Sequence, residues 1–194
     1  MKITKDFKGL VDVGWAYKFK GSITTSESLE IELDGKWLFV TDSIEAGGSI
    51  EAGGGIKAGW GIKAGGGIKA GEGIEAGGGI KAGWGIKAGW GIEAGGGIKA
   101  GWGIEAGEGI EAGGGIKAGW GIKAGWGIKA GEGIEAGLSI TCKKIISLKF
   151  SLFAGICTWR ETEEKDELIT CSAIKGGQVK YGTVKLLEKE KQTV

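Results

Sequence analysis

The chain has 194 residues, 44 of them Gly, with no Pro and no His, and 25 basic side chains stand against 24 acidic ones. Gly at roughly three times its average usage of about 7% suits collagen, a disordered tract or a tight repeat, and the missing Pro and Gly-X-Y triplet exclude collagen. Without His there is no imidazole base or imidazole metal ligand, and a net charge of +1 gives no global pull toward nucleic acid or an anionic membrane.

Residues 1–43 come first. Met1–Lys8 carries charges and no apolar stretch of the signal-peptide kind. No run approaches the roughly 18 apolar residues of a membrane span. The chain is therefore expected to be cytoplasmic, with no membrane contact. Leu10–Phe19 alternates like a strand, and Leu29–Leu33 and Lys36–Val40 flank Asp34-Gly35, which reads as a hairpin. This segment is expected to be a β-rich N-terminal cap.

Residues 44–155 are the repeat. From Ile44 to Ile140 an Ile stands at every sixth position, in units of Ile-(Lys/Glu)-Ala-Gly-x-Gly with Gly, Trp or Glu at x. Ser49 and Ser139 replace the last Gly of their units, Leu138 takes one x position, and Cys142 takes an Ala place. Ile and Ala, two apart, share one face of a short strand, and Lys or Glu between them points outward. Gly-x-Gly then turns the chain, using backbone freedom that Gly has and other residues lack. A flexible Gly-rich tract would not hold Ile in register; a short-period solenoid would.

Coil length is also legible. Residues 77–94, 95–112 and 113–130 are nearly identical blocks of eighteen, and period 18 segregates the outward charges. One column then reads Lys63, Lys81, Lys99, Lys117 and another Glu75, Glu93, Glu111, whereas period 12 mixes the signs. Three strands per coil predict an all-β, triangular solenoid. The Ile spacing with a small residue inward resembles the hexapeptide-repeat triangular β-helix superfamily, although there the small residue precedes the aliphatic one by two and here Ala follows it. The resemblance implies a left-handed coil. That family's acyltransferases and carbonic anhydrases depend on His, so a chain without His is expected not to be an enzyme and to need no cofactor or metal.

Residues 156–194 are expected to form the C-terminal cap. Arg160–Glu167 reads as a charged loop or short helical turn, and Gln178–Leu186 as a strand pair or last rung. The flanking aromatics Trp15, Tyr17, Phe19, Trp37, Trp159 and Tyr181 are expected to plug the ends. Cys142 and Cys171 fall in inward positions of matching Ile-Thr-Cys triplets, as small hydrophobes.

Taking the strands of a coil as faces A, B and C, the A–B corner carries Gly66, Trp84, Trp102 and Trp120, and the B–C corner carries Glu72, Trp90, Glu108 and Trp126. The C–A corner carries Trp60 and then bare Gly, and face B presents Lys69, Lys87, Glu105 and Lys123. Trp84, Trp90, Trp102, Trp120 and Trp126 with Lys69, Lys87 and Lys123 are thus the expected partner-binding surface, while the lysines of face A are expected to be solvated. Indole patches of this size mark protein contacts. The partner is expected to be another protein or a second copy in a twofold homodimer. The general style is similar to that of small phage or mobile-element proteins, which implies inhibition of a host defence or nucleic-acid enzyme. Alternatives are a polymer-forming structural solenoid, or recognition of a repetitive ligand such as a glycan or nucleic acid, the last disfavoured by Glu105 and Glu108 within the strip.

Overall fold

The computed structural model describes residues 1–188 and is a parallel β-solenoid of about ten turns of about 18 residues. Three sheets form its sides. Face A, nine strands from Ile23–Thr25 to Gln178–Tyr181, contains Ile62–Ala64, Ile80–Ala82, Ile98–Ala100 and Ile116–Ala118. Face B runs through ten strands from Lys2–Thr4 to Thr183–Leu186, and face C through ten from Leu10–Asp12 to Ala173–Lys175. Within the repeat each strand pairs in register with the one eighteen residues on, so that Ile62 meets Ile80 and Ala64 meets Ala82.

The alternation predicted from the unit is seen in every repeat strand: Ile and Ala are buried and the residue between them is not. Stacked Ile side chains fill the interior as one continuous core. Burying an Ile contributes about 1.5–3 kcal/mol, so the columns dominate the stability of a chain with no compact globular centre.

The glycines carry a correction. Eight Gly residues have positive φ, namely Gly9, Gly14, Gly21, Gly35, Gly155, Gly176, Gly177 and Gly182, and none lies within the unbroken units from Ile44 to Ile140. The repeat glycines keep ordinary backbone angles, so left-handed freedom is not why they are Gly. Close approach is. A Cβ on Gly101 would run into the carbonyl oxygen of Gly83 in the coil below, whereas one on Gly103 would stand 3.2 Å from the oxygen of Gly121. From Gly59 onward the first Gly of each corner is therefore obligatory, and the last tolerates a small side chain except at Gly73, which, like Gly55, lies under the Trp37 ring. Ser49 uses that tolerance, its Oγ accepting the Gly67 N–H at 3.1 Å.

The coiling continues through both flanking segments. Ile23, Leu29 and Leu38 pair in parallel with Ile44, Ile50 and Ile56, and Leu152, Ile169 and Ile174 continue the inward columns at the other end. Asp34-Gly35 does not close a hairpin. Its φ values of 51° and 78° suit a tight turn, but Leu29–Glu32 belongs to face B and Trp37–Val40 to face C, each with parallel partners in other coils. The turn is a solenoid corner, because burying both strands in existing sheets satisfies more backbone than pairing them with each other. Leu10–Asp12 and Ala16–Phe19 do pair antiparallel, at the N-terminal edge of face C. Arg160–Glu167 contains a single 3-10 turn, Glu164–Glu167, and Gln178–Leu186 supplies the last described rung, split between faces A and B. Among the described residues no helix is long and apolar enough to cross a membrane.

Candidate functional site

At the A–B corner the N–H of Trp102 donates to the carbonyl of Trp84 at 3.2 Å, and that of Trp120 to Trp102 at 3.3 Å. These corner hydrogen bonds fix successive indoles one rung apart. The rings of Trp84 and Trp102 stack at 5.5 Å between centroids and 11° between planes, and those of Trp102 and Trp120 at 5.4 Å and 11°. Each such pair contributes about 0.5–1.5 kcal/mol beyond area burial. Stacking covers ring faces, one at Trp84 and both at Trp102, and leaves the ring edges outside: exposure falls only from 53% at Trp84 to 48% at Trp102 and 43% at Trp120.

The ladder does not end at Trp120. The corner insertion of residues 155–167, between Ser151–Ala154 on face A and Leu168–Cys171 on face B, returns Trp159 to Trp120 at 5.9 Å between centroids. The Arg160 guanidinium lies 5.5 Å from the Trp159 ring and makes a 2.8 Å ion pair with Asp166. Asp166 is nearly buried. The Glu163 backbone N–H that donates to its carboxylate, and then Arg160, hold its pKa below the ordinary carboxylate range. The insertion is thus a braced clasp on the end of the ladder. Sequence reading assigned Trp159 to end plugging because the six-residue phase breaks before it. The available signal was its position, directly after a face-A strand and hence at the A–B corner.

The other predicted residues divide. Trp90 and Trp126 stand exposed at the B–C corner on either side of Glu108. Trp90 and Glu108 line the groove of face C together with Trp37, which covers Gly55 and Gly73. Lys69, Lys87 and Lys123 lie on face B as placed, but all three are engaged: Lys69 with Glu51 at 2.6 Å, Lys87 with Glu105 at 3.2 Å and Lys123 with Glu105 at 3.7 Å. Face B therefore sets three lysines against two glutamates and carries little net charge, and the A–B indoles are its distinctive chemistry. Of the flanking aromatics, Tyr17 and Phe19 pack on the core, whereas Trp15, Trp159 and Tyr181 are exposed.

The thiols carry no nucleophilic signature. Burial pushes Cys142 up to about 11 and raises Cys171 as well, so neither is a thiolate at neutral pH. No protein-family model, curated protein or solved structure matches the chain.

Proposed function

We propose that the chain is a non-enzymatic protein-binding rod that engages its partner through the Trp84–Trp102–Trp120–Trp159 ladder, with Trp90 and Trp126 across face B as outlying contacts. One observation carries this reading: four adjacent indoles, clasped by Arg160, remain about half exposed although stacked. A ladder serving only to shield its corner has no need of a dedicated insertion to extend it. Its preset spacing also lowers the ordering cost that flexible side chains impose on binding. The ion-paired lysines of face B would form the polar rim around such a contact. The finer form of the reading, suggested by a general likeness in style to small phage proteins, is inhibition of a host defence or nucleic-acid enzyme by a rigid rod lying along its surface.

The test is affinity capture from the source cell with the wild type and the Trp84→Gly, Trp102→Gly, Trp120→Gly triple variant in parallel. Gly66 already occupies the same column, so the backbone accepts the change. A protein held by the wild type and released by the folded variant is the expected result. Equal capture by both would overturn the assignment.

A further inference from the structure

Faces A and C carry opposite charges in the same ruled pattern. Down face A the outward residues read Glu45, Lys63, Lys81, Lys99, Lys117, Glu135, and down face C they read Lys57, Glu75, Glu93, Glu111, Lys129. In-register pairing sets Lys63 beside Lys81, Lys81 beside Lys99 and Lys99 beside Lys117. On face C it sets Glu75 beside Glu93 and Glu93 beside Glu111.

Like charges directly opposite one another destabilise a sheet, and the repeat unit does not force them: face B uses the same unit and places Glu105 between Lys87 and Lys123. The ends of the two columns are neutralised internally by Lys117–Glu135, Lys57–Glu75 and Lys129–Glu111 ion pairs. Lys63, Lys81, Lys99 and Glu93 make no ion pair with any described residue.

We propose that a second copy of this chain docks the glutamate column of its face C against the lysine column of face A. Both columns are ruled by the same rung spacing, so they match without adjustment. Setting Glu45 against Lys57 of the other copy brings Lys63, Lys81 and Lys99 against Glu75, Glu93 and Glu111, and leaves Lys117 facing Lys129, each of which has a Glu partner within its own copy. The corner between the two faces is bare at Gly78, Gly96 and Gly114, alongside Lys81, Lys99 and Lys117, and the exposed Trp60 and Glu132 bound that bare stretch at its two ends. Beside the lysines, toward that corner, runs an open groove of about 750 Å³ floored by Gly79, Gly97 and Gly115, with room for the incoming side chains.

A face of nine or ten strands, about 4.8 Å apart and roughly 17–20 Å across, offers on the order of 700–900 Å². That is the area each partner commits in a standard interface. The two patches differ, so the contact is heterologous: copies add in sequence until a ring closes or a filament grows, and assembly does not stop at a twofold dimer.

The experiment is light scattering on the full chain, in about 0.01 M salt, where charges act over about 30 Å, and in about 1 M salt, where they act over about 3 Å. The wild type is expected to exceed twice the monomer mass in low salt and to return to 19.9 kDa in high salt. The pair Lys81→Glu, Lys99→Glu and the pair Glu93→Lys, Glu111→Lys, which face each other in this register, use residues already present in the same columns. Each variant alone should stay monomeric, and an equimolar mixture should recover the wild-type mass, because the reversed faces are complementary. The Trp triple variant should associate like the wild type, which separates this contact from the indole surface. A wild type that is monomeric in low salt, variants that associate alone, or a mixture that stays monomeric would each overturn the proposal. Should a variant fail to fold, the salt response of the wild type decides.

Discussion

Trp102 and Trp120 lie 5.4 Å apart between ring centroids, 11° from parallel, on neighbouring rungs of one corner. Nothing of the hydrophobic core depends on them, since Ile98, Ile104 and Ile116 are buried by the inward columns. Removing Trp84, Trp102 and Trp120 together forfeits three stacking contacts, about 2–4 kcal/mol at about 0.5–1.5 kcal/mol each. For a domain of this size that lowers the melting temperature by roughly 5–15 °C without unfolding the chain. A thermal melt checks it; a triple variant that cannot fold would make the ladder a structural element first.

The two Gly positions of one corner should respond differently. Gly101→Ala sets a methyl group against the Gly83 carbonyl in the coil below and is expected to destabilise by about 1–3 kcal/mol or more, as overpacking does. Gly103→Ser copies what Ser49 and Ser139 already do in the same column and should be close to neutral. Denaturant midpoints compare them, and equal costs would refute the close-approach account.

The coil length and the inward columns were legible because Ile recurs without a break from Ile44 to Ile140 and the charges sort only at period 18. What the glycines do was not legible. A Gly needed for positive φ and a Gly needed for room read alike in sequence, and only stacking one coil on the next shows the Gly83 carbonyl beneath Gly101. Asp34-Gly35 misled for a related reason: turn chemistry specifies that the chain turns, not which sheet receives each strand. Within the candidate site, Trp84, Trp102 and Trp120 followed from the period, but Trp159 joined them through an insertion that no period describes. The lysine column of face A was read correctly as a column. That Lys63, Lys81 and Lys99 lack ion partners among the described residues became visible only against Lys69, Lys87 and Lys123, which have them.

Acid should open the clasp. The Asp166 carboxyl has a lowered pKa in the folded chain, so its contribution is present above the unfolded carboxylate value of about 4 and is lost as pH falls through the lower folded value. Protonation releases Arg160, and Trp159 then loosens from Trp120. Between pH 7 and roughly pH 3 the fluorescence of the wild type should change more than that of a Trp159→Phe variant, and Asp166→Asn should resemble the acid form throughout. A pH-independent difference would refute the brace.

Thiol chemistry offers a check on the inward columns. Cys142 and Cys171 are buried, and Cys157 is only partly covered. With its pKa at about 11, Cys142 is only on the order of one part in a thousand thiolate near pH 8. Native protein should take up one equivalent of a thiol reagent, at Cys157, and denatured protein three. Rapid labelling of Cys142 in the native chain would mean that the last repeat coil is open.

Deletion tests three strands per coil directly. Removing residues 95–112 excises one full turn and brings residues 84 and 120 onto adjacent rungs of the A–B corner. Removing residues 95–100 keeps the Ile spacing but turns everything downstream by one face, leaving residue 84 at the A–B corner and residue 120 at the C–A corner. With Trp84→Cys and Trp120→Cys in a Cys157→Ser background, only the first deletion places the two Cα atoms within the roughly 4.4–6.8 Å that a disulfide spans. Mild oxidation should therefore cross-link the 18-residue deletion, and neither the 6-residue deletion nor the full-length chain, where the positions are two rungs apart. Both deletions should remain folded, because each preserves the buried alternation of Ile and Ala. A cross-link in the 6-residue deletion, or none in the 18-residue deletion, would be incompatible with a three-sided coil.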